Sequence, residues 1–85
     1  MDMLFIEKSK LSLFTSAIRV EVIKALQEEG FDIWDVVDEV IPYAICEDLV
    51  SKAVQVKDEG YLLAKCEYTY IIDQLTNWAL APLKE

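Results

Sequence analysis

Among 85 residues there are only two glycines, and both stand in the same local pattern. Gln27-Glu28-Glu29-Gly30-Phe31 and Lys57-Asp58-Glu59-Gly60-Tyr61 each set two acids before the glycine and an aromatic after it. With Pro42 and Pro82 as the other breakers, these are the places where a largely apolar chain can turn. A glycine in the left-handed conformation just past a helix closes a Schellman stop, in which the C″ amide donates to the C3 carbonyl and the two side chains touch. Read that way, Leu26 meets Phe31, Val56 meets Tyr61, and both glycines end helices.

Apolar periodicity fills in the rest. Leu11, Phe14, Ile18, Val22, Ala25 and Leu26 recur at helical spacing and predict a first helix near 9–29, capped by Ser9 or Ser12. Leu13, Ala17 and Val20 form a smaller stripe on its opposite side, which a single core cannot cover. Asp32 caps a short helix near 32–41, Pro42 opens a third near 42–59, and a fourth runs near 61–80. Around that last helix the apolar arc covers about 200° at 100° per residue, more than a surface helix needs. Tyr68, Ile71, Leu75 and Trp78 lie on it, so they join Leu13, Ala17 and Val20 as the expected oligomer interface. Residues 1–8 fit either an extension of the first helix or a short strand. The expected fold is all-α: one helical domain over 1–85, a bundle of about four helices arranged as two αα-hairpins joined at Pro42, with a homodimer as an option.

At this size folding buries roughly 60 to 65% of the surface of the unfolded chain. A composition 54% hydrophobic and 28% charged belongs to a globular chain. The N-terminus lacks the basic start and apolar core of a secretory signal, and apolar runs of about five residues fall far short of the roughly 20 needed to span a membrane. A cytoplasmic protein that does not engage membrane is the expectation.

The net charge of −8 is local. Between Lys24 and Lys52 no base occurs, while Glu28, Glu29, Asp32, Asp35, Asp38, Glu39, Glu47 and Asp48 do. The remaining acids are matched one for one by Lys8, Lys10, Arg19, Lys24, Lys52, Lys57, Lys65 and Lys84. Asp32 and Asp35 suit a helix start, and Asp48 can pair with Lys52 four residues on. Glu28 and Glu29 end the first helix and Asp38 and Glu39 the second, so all four oppose the negative helix pole, at about 0.3 to 1 kcal/mol each. Acids set against the local field suggest selection for a partner. Trp34, at the edge of the apolar arc beside Asp38, is a fitting interface anchor.

Other chemistries lack their residues. The absence of histidine removes histidine-based triads and metal sites. Cys46 and Cys66 have no His or Arg nearby in sequence to activate them, and no disulfide or cofactor is expected. Asp32-x-x-Asp35-x-x-Asp38 has helical spacing, unlike the alternating oxygen ligands and central glycine of a calcium loop. Direct nucleic-acid binding is disfavoured, since the segment after Gly30 carries only negative charge where phosphate contacts need Lys or Arg. The expectation is a non-enzymatic binding protein that uses Glu28, Glu29, Asp32, Trp34, Asp35, Asp38 and Glu39 to occupy a basic protein, typically one that handles nucleic acid. Inhibitor, immunity protein, antitoxin or phage antagonist are the roles that fit. The alternative is a homo-oligomer working through apolar faces of the first and fourth helices.

Overall fold

In the computed structural model, which describes residues 2–84, the chain is mixed α and β. Strand β1 (Met3–Glu7) leads through a 3₁₀ turn into helix α1 (Leu11–Glu28). A second 3₁₀ turn, Trp34–Val36, runs into a one-turn helix α2 (Val37–Val40). Helix α3 (Tyr43–Ala53), the hairpin β2 (Gln55–Lys57) and β3 (Gly60–Ala64), and helix α4 (Lys65–Leu83) complete the fold. Four helices are present as expected, but the all-α bundle is corrected: the strands form one antiparallel sheet in the order β1-β3-β2.

Long-range pairing produces that difference. Met3 stands opposite Ala64 and Glu7 opposite Gly60, while Gln55 and Lys57 stand opposite Leu62 and Gly60. Directly opposed residues share a face, so Leu4, Ile6, Tyr61 and Leu63 turn together toward the helices. Leu63 is fully buried and Ile6 nearly so. Tyr61-Leu62-Leu63-Ala64 is apolar at every position, which fits helix and buried strand equally, and the partner strand from the far end of the chain decides it. The predicted third helix therefore stops at Ala53, and the predicted fourth starts at Lys65 and passes through Pro82 to Leu83.

Gly60 lies inside the sheet, not at a helix end. A Cβ there would overlap the Ile6 carbonyl oxygen and sit 2.9 Å from Phe5 Cζ, because the Phe5 ring covers the glycine diagonally across the ladder. Gly30 behaves as the sequence predicts. Its φ is +95°, its N–H donates to the Gln27 carbonyl at 2.9 Å, and the Phe31 N–H donates to the Leu26 carbonyl at 2.9 Å. That is the Schellman pair of bonds, and it stops α1.

The core joins all layers. Ile18, Val22 and Leu26 of α1 meet Cys46 and Val50 of α3, Leu75 and Ala79 of α4, and Leu63 of the sheet. Ile33 and Ile41 plug it from either end of the α2 segment. Among the described residues Thr15 is the one buried polar or charged residue, and its hydroxyl donates to the Leu11 carbonyl at 3.0 Å. Among the described residues no buried side-chain polar atom lacks a partner, which a small core needs, since each orphan costs about 1 to 3 kcal/mol.

Candidate functional site

The acids lie along the corner of the chain that runs from the end of α1 to the start of α3. Its rigidity comes from Arg19, whose side chain reaches out of α1 and is only 16% exposed. Arg19 Nη2 and Nε donate to the Ile41 carbonyl at 2.8 and 3.2 Å, and Nη2 also donates to Asp38 Oδ1 at 2.9 Å. The guanidinium lies 5.7 Å from the centre of the Tyr43 ring. The Ile41 carbonyl precedes Pro42 and has no helical partner of its own, so one arginine closes the corner and satisfies it. Sequence reading missed Arg19 because its targets lie 19 and 22 residues away.

This clasp revises the expectation for two acids. The segment 32–41 is broken: α2 has four residues, too few for a macrodipole, and Asp38 and Glu39 stand in its first turn. Asp38 therefore has a cation and no adverse pole. Glu28 and Glu29 keep theirs, since α1 has 18 residues, no base in its last turn, and Glu29 as its C-cap. Asp32 accepts the Trp34 N–H at 3.2 Å and so shapes the 3₁₀ turn that carries Asp35.

All seven expected partner-binding residues reach solvent. Asp38 and Asp48 have cations, from Arg19 and Lys52. Glu28, Glu29, Asp32, Asp35, Glu39 and Glu47 have no cation within ion-pair distance among the described residues. Two apolar side chains stand among them, Trp34 at 50% exposure and Val36 at 41%. An indole held half out of the protein on a short turn, with Asp32 and Asp35 beside it in sequence, is suited to insert between the side chains of a cationic surface.

The expected oligomer-interface residues separate. Leu13 and Ala17 are exposed and Val20 is half-buried, whereas Ile71 and Leu75 belong to the chain's own core. Tyr68 is half-buried against Phe14, their ring centres 5.8 Å apart. Trp78, 48% exposed, borders a groove of about 470 Å³ between α3 and α4 whose floor includes Ile45, Leu49 and Leu75.

The two cysteines differ in setting. Cys46 is fully buried, and burial pushes its thiol up, an effect that the Arg19 charge and a backbone hydrogen bond only partly offset. Cys66 is exposed and free. Burial, and then the Glu21 charge, raise the Tyr68 hydroxyl as well. No described helix is long and apolar enough to cross a membrane. No protein-family profile matches the chain, and no curated protein or solved structure is detectably similar to it.

Proposed function

We propose that this chain is a small, non-enzymatic acidic binding protein whose Gly30 corner occupies a basic surface on another protein, one that handles nucleic acid. The observation that carries the reading is the exposed Trp34 and Val36 on a stretch of chain that also carries six carboxylates without cations, and that Arg19 fastens to α1 at Asp38 and Ile41. The acids supply long-range attraction and the indole the short-range anchor, so association is fast and salt-sensitive. Inhibitor, immunity protein, antitoxin and phage antagonist are the roles such a surface serves. The role is proposed as a cytoplasmic one, and an exposed free thiol at Cys66 is compatible with a reducing compartment.

The test is affinity capture from cell extract at about 0.1 M and 1 M salt, where the Debye length falls from about 10 to 3 Å. Wild type is compared with a Glu28→Lys, Glu29→Lys, Asp35→Lys variant, which leaves the Arg19–Asp38 contact intact. The reading expects a basic protein captured by wild type at the lower salt and lost in the variant. Equal capture by both proteins at both salts would remove it.

A second reading, self-association through apolar surface, is favoured by the exposure of Leu13 at 66% and Phe5 at 57% beside one groove.

A further inference from the structure

The sheet order leaves two open edges, β1 and β2, and only one of them is defended. Strand β2 has three residues and ends in Lys57, and shortness and lysine both discourage edge-to-edge pairing. Strand β1 reads Met3-Leu4-Phe5-Ile6-Glu7, with no proline, no lysine and an unbroken register against β3. Unprotected edges of this kind recruit another strand.

The hydrogen-bond phase shows which groups are open. The Lys8 N–H donates to the Glu59 carbonyl, and the Lys65 N–H donates to the Asp2 carbonyl. Antiparallel ladders alternate, so Asp2, Leu4, Ile6 and Lys8 use their backbone groups on β3, while Met3, Phe5 and Glu7 direct theirs outward. We propose that this edge is a homodimer interface, in which the β1 strands of two copies pair antiparallel across a two-fold axis with Phe5 opposite the partner's Phe5. The proposal deepens the self-association reading and rests on it.

One register uses every open group. With Phe5 facing Phe5, Met3 faces the partner's Glu7, and each outward N–H and carbonyl of both strands gains a partner. The same register sets Asp2 opposite the partner's Lys8 at both ends, two complementary pairs between exposed residues, and Leu4 opposite Ile6. Sliding toward the C-terminus brings Glu7 against Glu7, or Met3 against Ser9 in the 3₁₀ turn, and loses bonds. Sliding the other way sets Glu7 beyond the start of the strand.

Side chains at the edge agree with a second copy as occupant. Phe5, Ile6, Lys10, Leu13 and Phe14 line a groove of about 480 Å³ where β1 and α1 diverge, and Leu13 and Ala17 stand exposed one helical turn apart above it. A copy that extends the sheet brings its own α1 across this groove. Charge does not oppose this: around β1 the acids Asp2 and Glu7 are balanced by Lys8 and Lys10. The acidic corner lies at the other end of α1, about 22 Å from Leu13 at about 1.5 Å rise per residue. That exceeds twice the Debye length of about 8 Å at physiological salt.

Sedimentation equilibrium of the full chain from micromolar to millimolar concentration, with residue-resolved amide exchange, tests the pairing. A dimer is expected, and the amides of Met3, Phe5 and Glu7 exchange quickly at low concentration and slowly as the dimer fills. Asp2→Lys or Lys8→Asp alone weakens dimerisation about tenfold, while the double exchange restores it to within about threefold. Circular dichroism checks that each variant is folded. A chain that stays monomeric throughout would overturn both the pairing and the self-association reading. A dimer whose outward β1 amides still exchange quickly, or which ignores the charge exchange, would overturn the β1 pairing and leave self-association through another face.

Discussion

Two stretches of nearly identical pattern, acid-acid-glycine-aromatic, fold in opposite ways. At Gly30 the glycine supplies a positive φ and the aromatic folds back on the helix it ends. At Gly60 no positive φ is needed, and the glycine is required because another strand and an aromatic ring occupy the place of its side chain. The first is a backbone requirement met within six residues, the second a steric one imposed by residues more than fifty positions away. A local motif thus specifies structure only when its constraint is local.

The sharpest way to break this comparison is Gly60→Ala. The new methyl meets backbone as well as the Phe5 ring, so β1 must move off β3, and a loss of about 3 kcal/mol or more is expected in denaturant unfolding. A loss below 1 kcal/mol would mean that the strands separate easily and that the contrast is false.

Next in size is Arg19→Met, which attacks the other region. It leaves the Ile41 carbonyl without its donors and should cost about 2 kcal/mol, nearly all from that carbonyl, because Asp38 is 88% exposed and its ion pair is worth little. Amide exchange should quicken from residue 32 to 46 and leave β1 and β3 unchanged, which separates the two regions directly.

Gly30→Ala is expected to cost only about 1 kcal/mol, since nothing lies within 4 Å of the added carbon and the penalty is confined to an L-residue at positive φ. Gly30→Asn should lose less, because asparagine tolerates the left-handed region. The same Asn substitution at Gly60 should be at least as harmful as alanine. If the two glycines ranked the other way, their roles would have to be exchanged.

The same distinction explains how far the sequence could be read. The body of helix α1, its core stripe, the Schellman stop at Gly30 and the corner at Pro42 all rest on residues close in sequence and are where the pattern puts them, whereas the N-cap of α1 is Lys10, with no side-chain cap bond, and neither Ser9 nor Ser12. The sheet was opaque because its evidence is distributed. The loop Asp58-Glu59 joins β2 to β3 without any positive φ, so the Asn-Gly or Asp-Gly signal of a two-residue hairpin is missing. Alternation over Val54-Gln55-Val56 was the available hint of a strand, but α3 leads into it without a breaker. Of the candidate site, the exposed acids and Trp34 were legible, as was the conflict of Glu28 and Glu29 with their helix end. The relief of Asp38 by Arg19 was not, because a side chain crossing between elements leaves no periodic trace.

The smallest expected effect bears most on function. Glu28→Gln and Glu29→Gln remove negative charge from the negative end of an 18-residue helix, so each should stabilise the chain by about 0.3 to 1 kcal/mol at low salt. Asp58→Asn and Glu59→Gln change the same two positions of the second motif, but these sit in a hairpin turn with no helix pole to relieve, and no gain is expected there. The four melting temperatures, measured at low and high salt, give the result. A gain confined to the Gly30 motif that fades as salt rises means the chain carries those two acids at a cost to its own stability. Solubility alone does not require that, since the same charges could be carried at the hairpin free of such a cost. Equal responses in both motifs would instead make the acids of the corner ordinary surface charge, and the weight of the functional argument would pass to the edge of β1.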